Sequence, residues 1–80
     1  MIKRENVKVV TAKTNEELTL TQCSFQPNFI SSKDIKTPVE KGDLIYRTLP
    51  SGIVEKYLVK TVDTFTNVLP HCEIKLEKID

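Results

Sequence analysis

Gly42-Asp43-Leu44-Ile45-Tyr46-Arg47-Thr48-Leu49-Pro50-Ser51-Gly52-Ile53-Val54-Glu55-Lys56-Tyr57-Leu58-Val59 carries two apolar-rich arms on either side of a Pro-Ser-Gly turn. That arrangement is a β-hairpin signature. In the first arm Leu44, Tyr46 and Thr48 share one face and Ile45, Arg47 and Leu49 the other. Both faces hold apolar groups, so the strand is expected to be covered on both sides. The second arm is contested, because Ile53, Val54, Tyr57, Leu58, Val62 and Phe65 also fit helical spacing. Ile53, Val54, Val59, Thr61, Val62 and Thr64 are β-branched and lose rotamer freedom in a helix, which favours strand. The outcome decides whether Arg47, Glu55 and Tyr57 share one face.

Upstream, residues 1–6 are polar and expected to be frayed or weakly paired. Residues 7–12 and 17–25 read as a hairpin around a turn at 13–16. Thr14-Asn15-Glu16-Glu17 has the form of a helix capping box, but Glu17–Cys23 then alternates with period two and is threonine-rich, which is strand chemistry. Pro27 donates no ladder hydrogen bond, so Pro27-Asn28 is a turn or a bend in an edge strand. Phe25, Phe29 and Ile30 are candidate core anchors beneath it. Ser31–Asp34 reads as a polar loop, 35–39 as extended, and Glu40–Asp43 as a turn with Gly42 at positive φ.

Downstream, residues 63–70 read as a loop whose Phe65, Val68 and Leu69 are apolar enough to fold back as a lid. His71–Ile79 is a final strand, with Cys72, Ile74 and Leu76 facing in and Glu73, Lys75 and Glu77 facing out. About six short strands in 80 residues predict a mainly β fold. The expected form is a single-domain small barrel or two-sheet roll around the central hairpin.

Composition narrows the function classes. Hydrophobic residues make up 39% and charged residues 29%, which is globular rather than disordered. The length leaves room for one core, and chains this short often gain stability by self-association, so a homo-oligomer is an expected possibility. The net charge is +1 with the two signs interleaved. No basic stripe is present, so nucleic acid is not the expected partner. No apolar run approaches the ~20 residues of a membrane span, and the N-terminus lacks the apolar core of a signal peptide. The expected compartment is the cytoplasm, with Cys23 and Cys72 as buried free thiols in preference to a bridge.

Catalytic and metal chemistry find little support. Cys23, His71 and Cys72 are too few and wrongly spaced for a structural zinc site. His71 is the sole histidine and hence the sole histidine base, and a triad with Cys23 and Asp43 or Asp63 has no supporting spacing. Only Gly42 and Gly52 exist, in separate turns, so no phosphate cradle forms. No catalytic, metal or cofactor residues are therefore assigned. Tyr46, Tyr57 and Arg47 offer a small stacking surface, but tyrosine and arginine are also the residues of protein-interface hot spots.

Residues 39–78 resemble small bacterial and phage-borne domains of unknown function. The resemblance rests on Glu40, Gly42, Asp43, Ile45 and Arg47, then Leu49-Pro50-Ser51-Gly52, then Glu55, Tyr57 and Val59, and finally His71, Ile74 and Lys75. Cys72 stands where a tyrosine usually follows the histidine. The resemblance implies an accessory part of a larger bacterial or prophage-encoded system, with no assigned catalysis. The expectation is a non-enzymatic module that binds another protein through the 43–59 hairpin, with Arg47, Glu55, Tyr57 and His71 as partner-binding residues. A nucleic-acid-binding barrel, a phage structural component and a small hydrolase using His71 are the alternatives.

Overall fold

Alternating β-branched and apolar residues fold into six antiparallel strands: β1 (Glu5–Val10), β2 (Glu17–Gln26), β3 (Phe29–Ser32), β4 (Leu44–Thr48), β5 (Val54–Phe65) and β6 (His71–Lys78). The structure, a computed structural model, describes residues 4–79. Two meanders, β1-β2-β3 and β4-β5-β6, join along β1–β4 and β3–β6 to give a closed barrel of order β1-β2-β3-β6-β5-β4. Closure leaves no unpaired sheet edge, which removes the main aggregation hazard of a small β domain.

The interior is filled by one inward-facing set: Val7 and Val9, Leu20 and Cys23, Ile30, Ile45, Tyr57 and Val59, then Cys72, Ile74 and Leu76. A narrow barrel admits only side chains of modest volume, hence the many Val, Ile and Cys. The inward set of β6 is as the alternation predicts. The strand reading of the second hairpin arm also holds, without helix, but β5 runs on through Asp63, Thr64 and Phe65, where a loop is expected.

Two bulges reset the alternation. In β2, Val7 pairs with Leu20 but Glu5 with Cys23, so β2 carries one extra residue there, and Gln22 sits at φ 54°. Leu20 and Cys23 consequently both point inward, which strict alternation forbids. In β5 the shift lies between Val59 and Thr61, and beyond it Val62 joins the face of Tyr57 and Val59.

Several local expectations are corrected. Glu5 and Asn6 belong to β1, so neither fraying nor weak pairing describes them, and positions 1–3 lie outside the described residues. Of the two expectations for Pro27-Asn28, the turn holds: it is a tight turn between β2 and β3, with Asn28 at φ 60°. Ser31 and Ser32 are strand rather than loop, and Ser32 is fully buried, its Oγ donating to Thr21 O at 2.7 Å. Ile30 is a core anchor, whereas Phe25 and Phe29 are half-buried. Residues 35–39 form a bent connection instead of an extended one. The Asp34 carboxylate organises it by accepting from the backbone and hydroxyl of Thr21 and Thr37 and from Lys36 N. The outer face of β4, with Leu44 and Tyr46, is half-buried but carries no second layer among the described residues; Leu58 pairs with Leu44 on that outer face.

Candidate functional site

The inward face of each strand must end somewhere, and at one end of the barrel it ends in charge. Glu5 continues the Val7–Val9 face of β1, and Lys78 continues the Ile74–Leu76 face of β6. Arg47 follows Ile45 on β4, and Glu55 precedes Tyr57 on β5. These side chains converge at the barrel mouth. Arg47 Nε donates to Glu5 Oε1 at 2.7 Å, and its Nη1 lies 3.6 Å from Glu55 Oε1. Tyr57 OH donates to Glu55 Oε1 at 2.9 Å, and Lys78 Nζ to Glu55 Oε2 at 3.1 Å. The Arg47 guanidinium also lies over the Phe25 ring at 4.3 Å, and Phe25 tilts against Tyr57 at 5.1 Å.

The titration behaviour follows this network. Hydrogen bonding to Glu5 raises the Arg47 pKa, and bonds from Tyr57 and Lys78 lower that of Glu55. Burial, then the bond to Glu55, raises that of Tyr57. Two anions face two cations, so the mouth is electrically closed on itself. A cavity of about 310 Å³ remains beside it, under the Pro27-Asn28 turn.

Arg47, Glu55 and Tyr57 are thus brought together as the hairpin reading required, but they point into the barrel and not off an outer face. Tyr57 is only 6% exposed. Glu5, Phe25 and Lys78 complete the cluster and were missed. Lys78 was legible as the next inward position after Leu76; Glu5 was hidden by its place in a polar terminus.

His71 is at the opposite end, where β5 turns into β6. It faces outward, paired across the strands with Phe65 and stacked on that ring at 5.0 Å. Its Nδ1 is 2.8 Å from Leu69 O and its Nε2 is 3.3 Å from Glu73 Oε2. Both oxygens only accept, so both nitrogens are supplied with protons only in the imidazolium. The bond to Leu69 O, then that to Glu73, accordingly raises the His71 pKa. Both ring nitrogens are engaged by acceptors, an arrangement that favours the protonated ring. Cys23 points into the core, and burial pushes its thiol up to about 12. Cys72, Cys23 and His71 therefore do not converge on a metal or a nucleophilic pair.

The tip that carries His71 is unusual in a second respect. Val68 and Leu69 are 80% and 81% exposed, so the expected lid is instead a projecting apolar edge. Leu69 also has φ 53°, a conformation that costs a bulky L-residue about 1–2 kcal/mol. Beside it lies a cavity of about 420 Å³ lined by Arg4, Ser31, Lys33, Leu69, Pro70 and His71. Arg4 is held there by bonds from Nη1 to Gln22 O at 3.1 Å and Ser31 O at 3.2 Å. The bulge at Gln22 creates that anchor, and no sequence signal announced it.

No protein-family model, curated protein or solved structure matches the chain. No helix among the described residues is long and apolar enough to cross a membrane.

Proposed function

We propose that the protein is a non-enzymatic binding module that docks onto another protein through the β5–β6 tip. The observation that carries this reading is the exposure of Val68 and Leu69 on a strained turn. Leucine gains nothing from water, and a backbone outlier that holds it there calls for a functional explanation. His71 belongs to this surface. Arg47, Glu55 and Tyr57 support it at a distance by closing the other end of the barrel, so the docking face moves from the 43–59 hairpin to the tip. The resemblance of residues 39–78 to bacterial and phage-borne accessory domains supports a phage or mobile-element origin. The free thiols of Cys23 and Cys72 fit a cytoplasmic setting.

The test is affinity capture with the wild-type chain and with the Val68→Asp/Leu69→Asp double variant. Both substitutions are at exposed positions, and aspartate tolerates the positive φ at 69, so the fold is expected to survive. A specific partner should be retained by the wild type and lost by the variant. An unchanged set of captured proteins would sink the reading.

A further inference from the structure

The cavity behind the apolar tip is lined on its polar side by hydrogen-bond donors. Arg4 spends Nη1 on two backbone carbonyls, which leaves Nε and Nη2 without a protein acceptor among the described residues. Lys33 is exposed and forms no ion pair among the described residues. Ser31 and His71 line the same space, with both His71 ring nitrogens already engaged. Leu69 and Pro70 supply the apolar wall. Glu73 is engaged by His71.

Elsewhere pairing is mixed: Lys36, Lys41, Lys56 and Lys75 also form no ion pair among the described residues, but none of them lines the tip cavity. Lys8 meets Glu17, Lys13 meets Glu40, and Lys60 meets Glu77. Uncompensated cations beside exposed leucine and valine are complementary to carboxylates beside a large apolar side chain. A second copy of this chain would bring the same cations face to face and is disfavoured. Single-stranded nucleic acid would use the phosphate-compatible cations but leave Val68 and Leu69 without a matching surface.

We infer that this tip recognises an acidic, apolar peptide segment of the partner, with a carboxylate seated between Arg4 and Lys33 and an aliphatic or aromatic side chain against Leu69. The inference rests on the docking reading above and specifies its ligand. Carboxylate recognition by arginine is geometrically favoured, since the planar guanidinium offers paired donors.

The experiment is a display selection of random dodecapeptides against the full chain, followed by two-dimensional NMR titration of the recovered peptides. Enrichment of Asp or Glu next to Leu, Ile or Phe is expected, with shifts at Ser31, Lys33, Leu69 and His71. Lys33→Glu should weaken binding at least tenfold while the spectrum stays folded. Recovery of peptides without acidic enrichment, or equal affinity for Lys33→Glu, overturns the carboxylate pocket. In that case loss of binding in Val68→Asp/Leu69→Asp would still sustain the apolar docking reading, so the two failures are separable. A parallel titration with a twelve-residue oligothymidine should show no saturable binding. Tight, salt-sensitive binding there, with no peptide recovered, would replace the proposal with a nucleic-acid one.

Discussion

Replacing Arg47 separates the two roles that this side chain could have. If Arg47 were a contact residue, Arg47→Ala would abolish binding and leave stability nearly unchanged. The structure gives the opposite expectation. Arg47 makes a charge-assisted pair with Glu5 at 2.7 and 3.3 Å and covers Phe25 at 4.3 Å. Hydrogen bonds to charged groups contribute about 1.5–3 kcal/mol, and the low end applies because the side chain is 27% exposed. The guanidinium over the aromatic face adds about 0.5–1 kcal/mol. Removal also leaves Glu5 and Glu55 facing each other without the cation between them. Arg47→Ala should therefore cost about 2–3 kcal/mol, and a domain of this size loses roughly 4–8 °C in Tm per kcal/mol. Urea unfolding at neutral pH, followed by circular dichroism, measures the loss directly. Arg47→Met, which keeps the apolar stem, should recover only a small part of it. Affinity per folded molecule for a tip-binding partner should not change. A loss below about 0.5 kcal/mol, the range of an ordinary surface substitution, would refute the closed-mouth argument.

The His71 titration, followed by NMR, should give a pKa above the ordinary histidine value, and Glu73→Gln should move it down. Because the folded pKa is the higher one, the stabilisation is present at acid pH and is lost as pH rises through it. Cys23 and Cys72 should resist an aromatic disulfide reagent until the chain unfolds, since burial raises both thiol pKa values; rapid labelling of the folded chain would contradict their interior placement. Asp34→Ala should destabilise by about 2–4 kcal/mol, because the charged carboxylate gathers donors from Thr21, Lys36 and Thr37. Burial opposes the charge, but the bonds from Thr37, Thr21 and Lys36 outweigh it and hold the Asp34 pKa well below the usual range. Its contribution is thus complete above about pH 4 and should fall away below it in an acid-unfolding titration, a dependence that Asp34→Ala should lack. Leu69→Asn should raise Tm by several degrees, since asparagine tolerates φ 53° and relieves about 1 kcal/mol of strain, while weakening partner binding.

The legibility of the fold varied with how local its cause was. β6 could be read residue by residue because Cys72, Ile74 and Leu76 alternate cleanly with Glu73 and Lys75. The central hairpin was legible because Pro50 and Gly52 have specific places in a turn; Gly52 N donates to Leu49 O at 2.8 Å and Gly52 sits at φ 91°. The bulge at Gln22 was not legible, since glutamine carries no preference for positive φ and only the pairing of β2 against β1 reveals it. That single inserted residue brings Cys23 inward and frees the Gln22 carbonyl to anchor Arg4. The same limit applies to Cys23 and Cys72. Both face the interior across from Ser32, one on each neighbouring strand. Two interstrand spacings amount to about 9–10 Å, too far for a disulfide, and that distance exists only once the barrel order is known. For the site, residue type identified Arg47, Glu55, Tyr57 and His71 as in need of explanation. It did not reveal that three close one end of the barrel and the fourth marks the other.

The two ends of the barrel differ in what an 80-residue chain can tolerate. A closed sheet has no edge to defend, but it has two open mouths where inward-facing positions meet water. At one mouth the chain places Glu5, Arg47, Glu55 and Lys78, whose charges balance and whose aliphatic stems, with Phe25 and Tyr57, cover the core. At the other end the Asp34 and Asp43 carboxylates tie down the 33–43 connection; Asp43 accepts from Ala12 N at 3.0 Å and Glu40 N at 2.9 Å. Both ends are thus sealed without Val68 or Leu69. The tip between β5 and β6 adds nothing to the seal, exposes two large aliphatic side chains, and holds one of them in a strained conformation. A domain of marginal stability gains nothing in the free state from such a feature, since a Gly or Asn turn would be cheaper. Its cost is recovered only if Leu69 is buried by something else. That is why substitution at Leu69, rather than at the charged mouth, should improve stability and impair binding together.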